Sequence, residues 1–154
     1  MKKHSPFLFL LVLLLSFCGC TYTNPIVDSL PAFKSQETYS RGGFQDITEY
    51  TKYTYKSLTE QDFFQSKLSE VTTPDNATEI RSYLENFEQC VEVAGDELRN
   101  NYDLKPADVT EGDFFYIKTK EGQPIGERTY EKFENYTVYF FDMDTQVLHY
   151  LHHD

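Results

Sequence analysis

Three of the four histidines lie in the last six residues of the chain, directly before an acid. His149, His152 and His153 precede Asp154 in the pattern H-x-x-H-H-D. Imidazole nitrogens and carboxylates are ligands that zinc and copper favour, which makes these three histidines weak candidates for a metal site. On an extended strand, however, His149 and His153 are about 13 Å apart, too far to share one ion. We therefore expect a strand end with solvated histidines, and no bound metal or other cofactor.

Cys90 is the one thiol that follows the first twenty residues, and its neighbours do not favour catalysis. Catalytic thiols have a depressed pKa, usually because a helix N-terminus, a cation or an imidazole is close. Cys90 instead lies between Glu88 and Glu92, in the last third of a predicted helix, where carboxylates raise the pKa of a thiol. We expect a structural, partly buried cysteine.

The sequence contains no motif that is typical of nucleophilic catalysis or calcium binding. G-x-S-x-G is absent, and Asp142-x-Asp144 lacks the glycine and the distal glutamate of a calcium loop. Aspartates at this spacing are common in tight turns. We therefore expect a protein that is not an enzyme. Two alternatives stay open: a small hydrolase with a site of dispersed carboxylates and His149, and a protein that binds a metal or another ligand.

Aromatic residues are concentrated near the C-terminus and supply the candidate contact surface. Strand alternation places Tyr139 and Phe141 on one face of their segment, and Tyr136 and Phe140 on the other. Either both faces are covered by other elements, which is the commoner arrangement, or one is an exposed recognition surface. In the second case Tyr139, Phe141 and Tyr150 are the candidate partner-binding residues, since tyrosine is enriched at interfaces.

A helix is predicted over residues 76–94. Apolar side chains recur there at spacings of three and four, namely Ile80, Leu84, Phe87, Val91 and Ala94. Asn76 and Glu79 have the spacing of a capping box, and Gly95 is a suitable residue just beyond the helix end.

The remaining patterns predict an α+β fold. Residues 113–119, 136–141 and 146–152 are aromatic and β-branched, and they favour an antiparallel meander of three strands. Residues 44–55 and 58–71 have apolar side chains at helical spacing, so we expect helices there. The predicted architecture is therefore two or three N-terminal helices packed on a C-terminal three-stranded sheet.

The first twenty residues have the pattern of a signal peptide. A cationic start precedes an apolar run over residues 7–17, which as a helix reaches only about 16 Å and is too short to span a membrane. The run ends in Ser16-Phe17-Cys18-Gly19-Cys20, which resembles the lipobox of bacterial lipoproteins, although Phe17 and Cys18 depart from its usual residues. The resemblance implies cleavage after residue 19, lipidation of Cys20 and a membrane anchor on the extracytoplasmic face of the cell membrane. We expect a tether over residues 20–32 and one domain over residues 33–154.

The charge excludes some partner classes and favours others. The chain has a net charge of −11, which argues against nucleic-acid binding because phosphate neutralisation needs a basic surface. All 25 acids and 12 of the 14 basic residues follow position 20, so the charge after cleavage is −13. An acidic protein is steered toward a basic one. We expect an interaction module for a basic extracellular protein or peptide, in one form similar to an immunity or inhibitor lipoprotein.

Overall fold

The computed structural model describes residues 24–42 and 46–154. Their largest element is a six-stranded antiparallel sheet with the strand order β1-β2-β8-β7-β4-β3. The strands are β1 (Ser35–Gly42), β2 (Ile47–Thr54), β3 (Glu70–Val71), β4 (Phe114–Thr119), β7 (Tyr136–Asp142) and β8 (Val147–His153). A separate small hairpin consists of β5 (Pro124–Ile125) and β6 (Arg128–Thr129).

In the part of the chain that the structure describes, three α-helices connect these strands, and only one of them is long. They are α1 (Glu60–Phe64), α2 (Pro74–Ala94) and α3 (Asp96–Asn101). Thr73 is the N-cap of α2 and Pro74 occupies its first turn, while Asn76 Oδ1 accepts a hydrogen bond from the Thr73 N–H at 2.8 Å. The cap therefore precedes the predicted Asn76 by three residues. Gly95 ends the helix with a φ of 120°, a conformation that glycine adopts without strain.

The predicted pair of N-terminal helices is wrong. Residues 47–54 form β2, and the segment 58–71 contains only the five-residue α1 and the short β3. In β2, Thr48, Tyr50, Thr51 and Tyr53 are all buried, so both faces of the strand are covered. A strand buried on both sides does not alternate between apolar and polar residues. In β2 the apolar and aromatic residues recur every three residues, which is also the spacing of a helix. The sheet is consequently twice as wide as the predicted meander, of which β4, β7 and β8 are three neighbouring strands.

The long helix covers one face of the sheet, which we call the helix face. Ile80, Leu84, Phe87 and Val91 of α2 are buried in one cluster with sheet residues that include Val138. The apolar stripe of α2 is thus buried along its length, and each such side chain contributes about 1.5–3 kcal/mol to stability.

The described residues cover the opposite face of the sheet over only part of its area. Ile26, Val27 and Leu30 pack with Phe63 of α1 in a second buried cluster, on sheet residues that include Phe141. A 3₁₀ turn at Val27–Ser29 shapes this N-terminal segment, and the Asn24 side chain accepts hydrogen bonds from the N–H groups of Ile26 and Val27. The folded part of the chain therefore begins before Phe33, within the segment expected to be a tether.

The signal-peptide prediction, with Cys20 as its lipidated residue, lies outside the described residues. Within the described ranges, none of the helices combines the length and apolar character that crossing a membrane requires.

Candidate binding groove

The part of the second sheet face that residues 24–42 and 46–154 leave open forms a groove of about 1010 Å³. We call it the tyrosine groove. Its floor consists of side chains from five neighbouring strands, β1, β2, β8, β7 and β4, because paired residues in an antiparallel sheet point to the same side. Tyr116 of β4, Tyr139 of β7 and Tyr150 of β8 are the central floor residues. The segment that contains Asn24 and Val27 forms one wall.

The floor tyrosines are held in a fixed arrangement by mutual ring contacts. The rings of Tyr116 and Tyr139 have centroids 6.2 Å apart, and those of Tyr139 and Tyr150 are 5.1 Å apart in an edge-to-face geometry. The Tyr139 hydroxyl donates a hydrogen bond to Asn24 Oδ1 at 3.1 Å, which connects the floor to the wall. These contacts limit side-chain motion, so a ligand would meet a preformed surface.

His152 extends this surface toward the C-terminal end of β8. Its ring stacks on Tyr150 with a centroid distance of 6.4 Å. Its Nδ1 lies 3.2 Å from the carbonyl oxygen of Tyr136 and 3.1 Å from the Thr137 hydroxyl. Because a carbonyl can only accept, Nδ1 carries a proton, which leaves Nε2 to accept a hydrogen bond in the neutral ring.

The border of the groove is polar and carries charges of both signs. Asp28 and Glu49 supply carboxylates, and Lys67 and Lys118 supply ammonium groups. Toward β1, the Thr51 hydroxyl donates a hydrogen bond to Thr38 Oγ1 at 3.0 Å. An aromatic floor with a polar border is typical of protein and peptide recognition surfaces.

Two of the three candidate partner-binding residues line the groove, and the third does not. Tyr139 is 8% exposed at the floor and Tyr150 is half-buried beside it. Phe141 is fully buried, and its ring centroid lies 4.7 Å from that of Phe63 and 5.8 Å from that of Tyr55. It lies on the same sheet face, but under the N-terminal segment and α1, so it supports the groove from inside the core.

The three C-terminal histidines are divided between the two sheet faces. His149 and His153 lie on the helix face, where His153 Nδ1 is 3.3 Å from the Thr48 hydroxyl, and His152 lies in the groove. Among the described residues, no three His, Cys, Asp or Glu side chains are arranged to hold a metal ion.

His149 belongs to a buried hydrogen-bond network that sequence patterns did not predict. The Tyr50 hydroxyl donates to Asp103 Oδ1 at 2.6 Å and lies 2.7 Å from His149 Nδ1. Because the single hydroxyl proton is used, His149 Nδ1 donates to the Tyr50 oxygen. Asp103 Oδ2 also accepts a hydrogen bond from Lys52 Nζ at 2.9 Å.

Burial and hydrogen bonding together determine the charge states in this network. It lowers the pKa of His149 to about 4, although the Asp103 carboxylate opposes the shift, so the imidazole is neutral at pH 7. Partial burial raises the pKa of Asp103, but the hydrogen bonds from Tyr50 and Lys52 outweigh it and bring the pKa below its usual value. The result is one paired carboxylate beside a neutral ring that is only 7% exposed.

Cys90 and Asp142, the other residues considered for chemistry, have contacts that stabilise the fold. Burial raises the pKa of the Cys90 thiol, whose Sγ lies 3.8 Å from Asn86 Oδ1. Asp142 Oδ1 accepts hydrogen bonds from the N–H groups of Asp144 and Thr145 at 2.8 and 3.1 Å. These bonds stabilise the turn between β7 and β8, as expected for an aspartate in a tight turn.

The groove contains residues that the sequence prediction missed. Tyr116 was part of a predicted strand, and alternation places it on the same face as Lys118. Alternation does not tell which face of the strand lies in a groove, so Tyr116 was not among the candidates. No local pattern indicated Asn24, because its position in the wall depends on packing against strands more than a hundred residues away. Comparison with known proteins finds no matching family model, no matching curated protein and no matching solved structure.

Proposed function

We propose that this protein is a lipid-anchored, non-enzymatic interaction module that binds a basic extracytoplasmic protein or peptide in the tyrosine groove. The observation that supports the proposal is the groove itself: a large, aromatic-floored cleft on the part of the sheet face that the N-terminal segment and α1 leave uncovered.

Tyrosine suits this task because it combines a large apolar ring with a hydroxyl. A buried aromatic ring at an interface contributes more binding energy than most other contacts, and it loses little side-chain entropy. The ring contacts of Tyr139 with Tyr116 and Tyr150 already restrict these side chains, which reduces the cost of ordering them on binding.

Charge favours a basic partner over an acidic one. The chain that follows residue 20 has 25 acids and 12 basic residues, so its long-range field is negative. Within the groove the charged residues are balanced, with Asp28 and Glu49 on one hand and Lys67 and Lys118 on the other. The field therefore increases the rate of encounter, and the aromatic floor supplies most of the affinity.

The proposed anchor is close to the groove along the chain. Asn24 in the wall follows Cys20 by four residues, a distance of at most about 14 Å when extended. A lipid on Cys20 would hold the groove near the membrane surface, where a secreted basic protein would encounter it before reaching the membrane. This location fits an inhibitory or protective role.

Binding of defined peptides tests this function. The full chain, purified from membranes in mild detergent, is titrated into fluorescent peptides that share aromatic residues and carry either lysine or glutamate at alternate positions. We expect the lysine peptides to bind, with an affinity that falls as salt is raised. Tyr150→Ala should weaken binding about tenfold or more.

An exposed aromatic outside the groove provides the matched control. Phe64 is 62% exposed on α1, so Phe64→Ala should leave peptide affinity unchanged. Equal binding of lysine and glutamate peptides would refute the charge argument. Unchanged affinity in both Tyr116→Ala and Tyr150→Ala would show that the groove is not the binding site.

A further inference from the structure

The first strand is a long open edge of the sheet. β1 has eight residues, pairs among the described residues with β2 alone, and keeps one continuous register from Ser35 to Gly42. Seven of its residues are exposed and Tyr39 is half-buried. Edges of this length are usually interrupted by a proline or a bulge, carry charged side chains, or are covered, because they can pair with another strand. Within the described residues β1 has no proline, bulge or cover, and its two charged side chains, Glu37 and Arg41, have opposite signs.

The hydrogen bonds of β2 show which backbone groups of β1 point away from the sheet. Ile47 and Asp154 exchange both of their backbone hydrogen bonds, so the backbone of Ile47 faces β8. In an antiparallel ladder this direction alternates. The even-numbered residues of β2 therefore bond to β1, and their partners in β1 are the odd-numbered residues. The outward-facing backbone groups of β1 belong to the even-numbered residues Gln36, Thr38, Ser40 and Gly42.

One antiparallel register pairs all four outward-facing residues of β1 with the same residues of a second copy. In it, Gln36 lies opposite Gly42 of the second copy, and Thr38 lies opposite Ser40. Each such pair exchanges two hydrogen bonds, for a total of about eight. A shift by two residues in either direction leaves an outward-facing residue at the strand end without a partner.

The same register also pairs opposite charges. It places Glu37 directly across from Arg41 of the second copy, twice by symmetry, and Tyr39 across from its own equivalent. These are close pairs without backbone bonds between them, where side chains interact most strongly. The Glu37 side chain is 54% exposed, and its carboxylate can meet the second copy although it lies 3.6 Å from Lys52 Nζ and accepts a hydrogen bond from the Tyr39 hydroxyl at 3.1 Å. Hydrogen bonding and charge thus select one register independently.

We infer that β1 is a dimer interface, through which two copies of the chain join their sheets edge to edge with Glu37 paired to Arg41 across a two-fold axis at Tyr39. The axis is perpendicular to the sheet, so both helix faces lie on one side and both tyrosine grooves lie on the other. Gln36 and Thr38 line the groove next to this edge, so the two grooves would be continuous across the axis. Both Asn24 segments would also lie on the same side, and two lipid anchors could enter one membrane.

Charge reversal tests the pairing in solution. Sedimentation equilibrium of the full chain in density-matched detergent measures the dimer dissociation constant. Glu37→Arg places two arginines opposite each other and Arg41→Glu places two glutamates, so each variant alone should weaken dimerisation by about tenfold or more. An equimolar mixture of the two variants should form a heterodimer with near wild-type affinity, since every charge again meets its opposite.

A cysteine at the axis tests the register. In a background of Cys90→Ser, Tyr39→Cys should form a disulfide between copies on mild oxidation, because close non-bonded pairs have Cα atoms about 4.5 Å apart. Thr38→Cys is the control and should crosslink far less, because it faces Ser40 of the second copy. Unchanged melting temperatures would show that the variants are folded.

Several results would overturn the inference. A wild-type chain that stays monomeric at all concentrations would do so, as would a dimer that neither charge reversal weakens. A heterodimer no stronger than the homodimers of the single variants, or equal crosslinking of Tyr39→Cys and Thr38→Cys, would exclude this register. A peptide that pairs with β1 of a monomer would identify a different occupant of the edge.

Discussion

Tyr50 and His149, which are 99 residues apart in the chain, are joined in the core by a 2.7 Å contact between the phenolic oxygen and Nδ1. The Tyr50 hydroxyl donates its one proton to Asp103, so the hydroxyl oxygen accepts the hydrogen bond that the His149 N–H donates. The network closes β2 against β8 and connects both strands to the residues that follow α3.

Removing the Tyr50 hydroxyl should destabilise the fold. Tyr50→Phe leaves the buried His149 N–H without its acceptor and removes one donor from Asp103, at a cost of about 1–3 kcal/mol in the free energy of unfolding. Urea denaturation measures this cost. Tyr55→Phe is the matched control: the Tyr55 hydroxyl is buried without a hydrogen-bond partner among the described residues, so its removal should be neutral or stabilising. Equal losses in the two variants would contradict the assigned network.

Acid should weaken the fold through His149. Its pKa is about 4 in the folded state and about 6.5 when unfolded, so the unfolded chain binds more protons between these values. Stability should therefore fall as pH decreases from about 6.5 to 4, by up to about 3 kcal/mol from this residue. Denaturation at a series of pH values measures the slope. His149→Gln should flatten it relative to His153→Gln, because burial also lowers the pKa of His153 but that ring is less buried. A slope that His149→Gln leaves intact would exclude this origin.

Phe141 and Tyr150 should affect different properties when truncated. Phe141→Ala removes a fully buried ring between Phe63 and Tyr55 and should cost about 3–5 kcal/mol of stability. Tyr150→Ala should reduce stability less and peptide affinity more, because its half-buried ring lines the groove. Thermal melts together with peptide titration separate the two effects. A Tyr150→Ala variant that loses as much stability as Phe141→Ala would identify Tyr150 as a core residue.

Cys20 should carry the lipid. Intact mass spectrometry of the chain expressed from residue 1 should show loss of residues 1–19 and addition of a diacylglyceryl group. Cys20→Ala should abolish both changes, whereas Cys18→Ala should leave them in place. An unmodified Cys20 in the purified wild-type protein would refute lipidation, and peptide binding could still be measured on that protein.

Local sequence information was sufficient for the elements whose signals are local. The helix α2 was predictable because its apolar stripe repeats every three or four residues and Gly95 follows it. The turn between β7 and β8 was predictable because Asp142 bonds to backbone groups two and three residues away. The predicted N-cap, Asn76, was wrong. Thr73 and Asn76 have the same three-residue spacing as Asn76 and Glu79, and only the hydrogen bond from the Thr73 N–H to Asn76 Oδ1 identifies the first pair as the capping box.

Tertiary contacts determined the remaining structure. β1 is exposed on both faces and β2 is covered on both, so neither strand has the alternation by which strands are recognised. The groove depends on which part of a sheet face the segment from Asn24 to Leu30 covers, and its position is set by packing on distant strands. The sequence by itself determined the acidic charge, the lipoprotein-like start and the residues suited to a strand or a helix, because these properties depend on near neighbours. Only the tertiary structure decided that Tyr139 and Tyr150 line a groove while Phe141 is buried, because burial depends on residues far away in the chain.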